Sequence, residues 1–288
     1  MHVISDEQRL RQHSSGPACV LAEPDQQELI RQAASLGGLE LPDLQRRHHR
    51  PRAAVEKGQA APVLMVLQDQ REHRPVQIVS NDDVLLLVGH PEDLAVVRPA
   101  VEASPEHGRA GLVAAVTAVV QQAEDALERI DDDSQQLGDE TLGFASAARR
   151  RELGRLRTEL FRLGETQAAH RNMLIAHDEL SDLLEQQHRS RLNQAAATFG
   201  ANQSTATRLY AMVGDVLDEQ ATVVSERLTV VATIFLPLTL ATGFFGMNFQ
   251  WMLDRLDSLA SFLLLGLLAP AVLTVLTVFG PRPLNRQT

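Results

Sequence analysis

The sequence predicts an α+β membrane protein with an N-terminal cytoplasmic α/β domain, a long helical stalk and two C-terminal transmembrane helices. Two uncharged, largely apolar runs at residues 228–249 and 259–280 predict the transmembrane helices. Short apolar runs of strand length in the first hundred residues predict the α/β domain. Between these regions lie long segments with helical periodicity and no strand signal, which predict the stalk.

Composition limits the possible partners. The chain has 288 residues, with 37 acidic and 27 basic side chains, and this balance argues against a nucleic-acid partner. An acidic front suits a protein that meets cations, and solubility alone explains it equally well. A single cysteine, Cys19, excludes an internal disulfide framework, and we expect it to be a small buried residue. The first fifteen residues lack a signal-peptide pattern, so the two C-terminal transmembrane helices should direct insertion of the chain into the membrane.

The front of the chain is divided into a loose tail, residues 1–16, and an α/β domain, residues 17–103. The runs Val63–Leu67 and Val84–Val88 have strand length and are bounded by turn-forming residues. Short helices are predicted at Asp25–Leu36, which a Gly-Gly pair closes, and at Pro42–Arg47.

Residues 104–227 are predicted to form the stalk. Its first helix begins at Ser104, with Pro105 in the first turn, and runs to an acidic tip at residues 131–133. A second helix returns with leucines at 3-4-3 spacing, which predicts a coiled-coil seam: Leu153, Leu156, Leu160 and Leu163. A third helix begins near Ser181 and continues without proline into the first membrane span.

Two glycines lie within this predicted third helix. Gly200 and Gly214 each weaken a helix by about 1 kcal/mol relative to alanine, which argues against its continuity. Because long helices with polar faces are stable only against partners, we expect a helical bundle and an oligomer.

The membrane region is a tight hairpin. The spans 228–249 and 259–280 have 22 residues each, or roughly 33 Å of helix, against a hydrocarbon core of about 30 Å. Residues 250–258 connect them, and residues 281–288 form a short tail. Basic residues flank the spans, whereas the loop has a net charge of −1, so both termini should be cytoplasmic and the loop external in a multi-pass protein of the cell membrane.

A stripe with a period of 3.5 residues runs along the first span. Apart from Leu236 its members are small or carry a hydroxyl group: Ser225, Thr229, Ala232, Leu236, Thr239, Gly243 and Gly246. Such residues mark either close helix packing or a pore lining. Asn248 ends the stripe and favours the pore. A ring of Asn carbonyls can accept hydrogen bonds from the waters of Mg²⁺, an ion that dehydrates reluctantly. Two spans cannot enclose a pore, so oligomerisation is required.

The hairpin resembles the CorA family of divalent-cation transporters. The resemblance is nearly residue for residue over 228–239 and over Phe245–Phe249, which contains Gly-Met-Asn. It extends to Arg151–Leu163 and, more weakly, to Arg50-Pro51-Arg52 with Glu56. It implies a homopentamer in the lipid bilayer that transports Mg²⁺, with Co²⁺ or Ni²⁺ as possible companions.

The resemblance also implies roles for residues. Gly246, Met247 and Asn248 would form the selectivity motif, and Leu228 would join the pore lining. Mg²⁺ bound between cytoplasmic domains would hold the pore closed, although its ligands cannot be placed. The acidic external loop of the family is replaced by Gln250-Trp251-Met252-Leu253-Asp254, so attraction of cations falls to Asp254 and Asp257.

Other candidate sites are weaker. The adjacent His48 and His49, or His170 and His177 two turns apart, could hold a transition metal; the alternatives are bystander residues and polar heptad positions. The chain has no Gly-rich phosphate loop and no nucleophile elbow, so we expect no enzyme activity. The sequence therefore predicts magnesium transport. The alternatives are a zinc, cobalt or nickel transporter of the same fold and a non-conducting helical scaffold.

Overall fold

A mixed β-sheet organises the N-terminal part of the protein. The computed structural model describes residues 3–12, 17–44, 46, 48–68, 72–104, 108–140, 147–246, 260, 263–268 and 272. Its strands are β1 (Val3–Ile4), β2 (Ala18–Ala22), β3 (Val55–Glu56), β4 (Gln59–Ala60), β5 (Val63–Gln68), β6 (Glu72–Ser80) and β7 (Val84–Val88). The order is β1-β2-β7-β6-β4-β3, and β5 also pairs with β6. β1, β2 and β7 are parallel, whereas the other pairs are antiparallel.

The helices lie between the strands and after them in the sequence. They are α1 (Glu7–Gln12), α2 (Gln27–Gly37), α3 (Pro91–Ala103), α4 (Arg109–Glu140), α5 (Ala147–Ala176), α6 (Asp178–Asp182) and α7 (Gln186–Gly246), and a π-helical turn spans Leu263–Leu268. The chain divides into two units, and the second takes up α7 from Val216 onward. The strands predicted at Val63–Leu67 and Val84–Val88 are confirmed as β5 and β7.

The two faces of the sheet bury different helices. Successive side chains of a strand point to opposite faces. Cys19 and Leu21 of β2 therefore pack in one cluster with α3, α4 and the start of α7, whereas Val20 packs in the other with α2. Cys19 is fully buried, as expected, and burial raises the pKa of its thiol to about 12.

Two side chains, one on α4 and one on α5, form hydrogen bonds with the edge of β5 that faces away from β6. The Met65 N–H donates to Nε2 of His170 on α5 at 3.0 Å. The Leu67 N–H donates to Oε1 of Gln122 on α4 at 3.0 Å, and Gln122 Nε2 donates back to the Leu67 carbonyl at 2.7 Å. An open strand edge is a template for aggregation. These two side chains therefore replace the missing neighbouring strand.

Arginines of α5 lie over glycines of α7. A Cβ at Gly200 would lie 3.1 Å from Cδ of Arg171, and a Cβ at Gly214 would lie 3.3 Å from Nη2 of Arg157. The Arg157 guanidinium also lies 4.6 Å from the centre of the Tyr210 ring. The glycines are fourteen residues apart, and so are the arginines, which is the register of two antiparallel helices with a heptad spacing. The glycines therefore make room for α5, and α7 continues through both.

The structure differs from the sequence prediction in the front domain. The tail expected at residues 1–16 instead contributes β1 and α1, where Ile4 and Leu10 are buried. β1 has only two residues and exists because it pairs with β2, a contact that local sequence does not encode. The helix predicted at Pro42–Arg47 is absent from the described residues 42–44 and 46.

The stalk also differs in detail. α3 was not predicted; it contains Pro99, which disfavours a helix interior, and the buried Val97 and Val101 anchor it to the core. α4 continues to Glu140, so the acidic run 131–133 lies inside this helix rather than at its tip. α5 ends at Ala176, and His177 therefore lies beyond the helix that carries His170.

Candidate functional site

The stripe predicted on the first span lies on the C-terminal part of α7. The helix is continuous from Gln186 to Gly246 and includes Pro237, so the stripe keeps its helical spacing. The stripe side chains described here are exposed in the single chain, as is Leu228: Ser225, Thr229, Ala232, Leu236 and Thr239. Leu236 is the extreme case, with 75% of its surface exposed. Within the part of the chain that the structure describes, this stripe is therefore uncovered.

The threonine hydroxyls in this region donate hydrogen bonds to backbone carbonyls of the same helix. Oγ1 of Thr229 donates to the Ser225 carbonyl at 2.9 Å, and Oγ1 of Thr239 donates to the Phe235 carbonyl at 2.8 Å. A hydroxyl that donates in this way keeps lone pairs free to accept. Each threonine on the stripe can therefore accept a hydrogen bond from a water molecule without leaving an unpaired donor in an apolar environment.

Pro237 adds a backbone acceptor near the middle of the apolar segment. Proline has no N–H, so the carbonyl of Thr233, four residues earlier, lacks its helical donor. The Thr233 hydroxyl is occupied, because it donates to the Thr229 carbonyl at 2.7 Å. One carbonyl oxygen is thus left to bind water or a group outside the helix.

The selectivity motif is only partly described. Gly246 is the last residue of α7. Met247 and Asn248 lie outside the described residues, as do Asp254 and Asp257 of the connecting loop. Most of the second predicted span, residues 259–280, also lies outside them.

One helix has the length and composition needed to cross a membrane. It covers Gln186–Leu240, and its most apolar stretch has a mean hydropathy of 1.6 with none of it buried in the protein. This criterion uses only length and composition and was applied to the described residues. A segment that is apolar, has at most two charged residues and is unburied is unusual for a soluble protein, and lipid or other chains can cover it.

His170 is a core residue rather than a metal ligand. Its ring is fully buried, accepts the Met65 N–H and stacks on Phe199 of α7 with 4.7 Å between ring centres. Burial, with a smaller effect of His73, lowers the pKa of His170 to about 3, so the ring is neutral at physiological pH. Within the described ranges, no three His, Cys, Asp or Glu side chains are placed to hold a metal ion. Sequence reasoning missed this role because Met65 and His170 are 105 residues apart.

Comparisons with known proteins agree with the fold. The family model described as CorA-like Mg²⁺ transporter protein matches residues 19–280. The complete structure of the CorA magnesium transporter from Methanocaldococcus jannaschii superposes with a TM-score of 0.64 at 15% identity, covering 91% of this chain and 88% of that one. Its soluble domain gives a TM-score of 0.58 at 12% identity, covering 68% of this chain and 84% of that one.

A third solved structure has the same fold in its cytoplasmic part. The ZntB cytoplasmic domain from Vibrio parahaemolyticus superposes with a TM-score of 0.52 at 13% identity, covering 72% of this chain and 88% of that domain. No curated protein matches the sequence significantly. At these identities the structural matches establish the fold and leave the transported ion open.

Proposed function

The chain belongs to the family of CorA-like Mg²⁺ transporters, and on that premise we propose that it carries Mg²⁺ across a cell membrane through a homopentameric pore. One observation carries the proposal. An exposed stripe of small and hydroxyl-bearing residues on α7 leads to Gly246 and the Gly-Met-Asn motif. The family match supplies the class of cargo, and the stripe supplies a surface suited to a hydrated ion.

The proposed pore needs several copies of the chain. Residues 228–249 and 259–280 cross the bilayer with both termini in the cytoplasm, and two helices per chain cannot surround a channel. Five copies would bring five stripes together around one axis. Each stripe would contribute the pore-lining residues Ser225, Leu228, Thr229, Ala232, Leu236, Thr239 and Gly243.

Selection rests on hydration. Mg²⁺ binds its waters tightly, so a pore that retains these waters avoids a large dehydration cost. In this proposal the carbonyl oxygens of an Asn248 ring, next to Gly246 and Met247, accept hydrogen bonds from the waters of the ion. The hydroxyls of Thr239 and Thr229 and the free carbonyl of Thr233 continue this set of acceptors deeper in the membrane.

The direction of transport follows from the membrane potential. A divalent ion gains about 4.6 kcal/mol on crossing 100 mV toward the negative side, so no other energy source is needed for uptake. At the external mouth, Asp254 and Asp257 would raise the local concentration of cations, although Arg255 between them reduces the net charge of the loop to −1.

A second candidate is transport of Zn²⁺, Co²⁺ or Ni²⁺ by the same architecture, and the ZntB cytoplasmic domain shares the fold of this chain. The sequence from Leu228 to Gly280 contains no His or Cys, the side chains that zinc prefers as direct ligands. A transition metal would therefore pass as a hydrated ion, and the preference between metals becomes the quantity to measure.

Flux into vesicles tests the proposal. The purified chain is reconstituted, and uptake of Mg²⁺, Co²⁺, Ni²⁺ and Zn²⁺ is followed with metal-sensitive dyes at equal free concentrations. We expect Mg²⁺ uptake that cobalt hexammine, an inert mimic of a hydrated ion, blocks. Zn²⁺ uptake that an equal concentration of Mg²⁺ fails to reduce would reject the magnesium assignment. No flux of any of these ions would favour the non-conducting scaffold.

A further inference from the structure

The order of elements places a crevice at one edge of the sheet. β2 and β7 are adjacent and parallel, so their carboxyl ends meet at the same edge. The helices that follow them pack on opposite faces, because α2 belongs to one hydrophobic cluster and α3 to the other. Where consecutive helices part in this way, open sheets bind ligands in the crevice beyond the strand ends.

A cavity of about 470 Å³ lies at this point, within the size range of small-molecule sites. Pro24 is the second residue after β2, and Gly89 and His90 follow β7; all three line the cavity. The N-terminal part of β6 forms another wall with His73, Arg74 and Pro75.

The walls of the cavity have two characters. Apolar surface comes from Pro24, Leu44 and Pro75, whereas basic or imidazole groups come from Arg46, His48, His49, His73, Arg74 and His90. One carboxylate, that of Glu72, also lines the cavity; it pairs with Arg74 at 3.6 Å. Arg74 contacts Glu92 as well, at 3.3 Å. The cavity therefore joins an apolar patch to a cationic one.

Two imidazoles at the cavity each have one nitrogen without a hydrogen-bond partner among the described residues: Nε2 of His48, which is only 7% exposed, and Nε2 of His73. A buried polar atom without a partner is destabilising. Both nitrogens are covered in this conformation, so a ligand in the cavity reaches them when the ring turns.

The electrostatics favour an anion over a metal cation. Burial is the main cause of the lowered pKa of His48. The guanidinium groups of Arg52 and Arg46 lower it further and outweigh the opposing effect of Asp43, so positive charge predominates around this ring.

We propose that this cavity binds a nucleoside phosphate, whose phosphate oxygens contact Arg46 and the His48 imidazole while the base lies against Pro24, Leu44 and Pro75. Guanidinium and imidazole N–H groups are suitable donors to phosphate oxygens. The apolar wall gives a planar base a surface that inorganic phosphate would not use. The inference concerns the cytoplasmic domain only and does not depend on the proposed transport.

Calorimetry tests the site on the full chain in detergent. The titrants are ATP, ADP, adenosine and tripolyphosphate, in EDTA so that no metal bridges protein and ligand. We expect ATP and ADP to bind, and adenosine and tripolyphosphate to bind at least tenfold more weakly, because each lacks one half of the ligand. Tripolyphosphate as tight as ATP would overturn the contribution of the base, and adenosine as tight as ATP would overturn that of the phosphate.

A matched pair of variants locates the site. Arg46→Gln removes an exposed charge at the cavity and should weaken ATP binding about tenfold. Arg31→Gln removes an exposed charge on α2 that does not line the cavity, and it should leave ATP binding unchanged. His48→Gln should also weaken binding, with the thermal midpoint of each variant measured in parallel. Wild-type protein that does not bind ATP at millimolar concentration, or Arg46→Gln protein that binds like wild type, would overturn the proposal.

Discussion

The N-terminal and C-terminal parts of α7 have different surroundings. Between Gln186 and Asp215 the helix packs within the chain, where Phe199 stacks on His170 and the glycines accommodate arginines of α5. From Leu228 to Leu240 most side chains are exposed, and none is charged. One part of the helix is therefore matched to its own chain, and the other to surroundings that the described residues do not provide.

This difference explains why the two parts look unlike each other in sequence. The first part tolerates Gly200 and Gly214, which weaken an isolated helix, because α5 occupies the space that they leave. The second part exposes apolar surface that would cost about 25 cal/mol per Å² in water. Such a surface is stable in lipid and against other copies, which is the environment that family membership implies.

The strongest test of the second part is the proposed filter. Asn248→Ala should abolish Mg²⁺ uptake by reconstituted protein, because the carbonyls that accept hydrogen bonds from the hydrated ion are removed. The size of the oligomer on gel filtration should not change, since the substitution shortens only one polar side chain. Gln250→Ala, which removes an amide two residues later, is the matched control and should retain uptake. Wild-type uptake by Asn248→Ala would reject the filter assignment.

The strongest test of the first part is His170. Replacing it with Leu leaves the buried Met65 N–H without an acceptor, which should destabilise the protein by about 1–3 kcal/mol. Urea unfolding of the full chain in detergent, followed by circular dichroism, measures the loss. His177→Leu, in the loop beyond α5, should change stability by less than about 0.5 kcal/mol. Equal effects of the two variants would show that the bond to β5 does not stabilise the fold.

The same buried rings predict acid sensitivity. Burial lowers the folded-state pKa of His170 to about 3 and that of His73 to about 4, from an unfolded value of 6.5. The unfolded chain therefore binds more protons below pH 6.5, so stability is full above that pH and falls as the pH decreases. Between pH 6.5 and 5 each ring contributes a slope of up to about 1.4 kcal/mol per pH unit. His73→Gln should reduce this slope, measured by unfolding at several pH values, and an unchanged slope would contradict the assignment.

Sequence reasoning reached those parts of the molecule whose physical requirement is local. A membrane span needs about twenty consecutive apolar residues, and the run from Leu228 meets this requirement without reference to any other part of the chain. The strands β5 and β7 were equally readable, because each is a continuous apolar run bounded by turn residues.

The features that sequence reasoning did not predict depend on contacts between residues that are distant in the sequence. β1 exists only through pairing with β2, and α3 survives Pro99 because its valines are buried in the core. His170 was read as a ligand or heptad residue, whereas its partner, Met65, can be known only from the fold. The candidate pore also has a part that the sequence predicts and a part that it does not. The stripe follows from the 3.5-residue period of the sequence, whereas the role of the hydroxyls as acceptors depends on their hydrogen bonds within the helix.

A smaller effect is expected from the stripe hydroxyls. Thr229→Val and Thr239→Val keep the shape of the side chain and remove an acceptor on the proposed pore face. A single hydrogen bond contributes about 0.5–1.5 kcal/mol, so Mg²⁺ flux should fall roughly two- to tenfold in each variant. Thr207→Val removes a hydroxyl of the same kind from an exposed position on α7 before the apolar segment and should leave flux nearly unchanged. An equal loss in this control would indicate a general effect on α7 rather than a pore lining.

The smallest expected effect separates the two kinds of helical glycine. A Cβ at Gly154 on α5 meets no atom within 4 Å, so Gly154→Ala should stabilise the protein by up to about 1 kcal/mol through helix propensity alone. Gly200→Ala gains the same propensity but places its Cβ 3.1 Å from Cδ of Arg171, so the arginine must move and the net gain should be smaller. Urea unfolding of both variants gives the difference. A gain at Gly200 as large as that at Gly154 would mean that α5 does not hold Arg171 against α7, and the contrast between the two ends of α7 would then need another explanation.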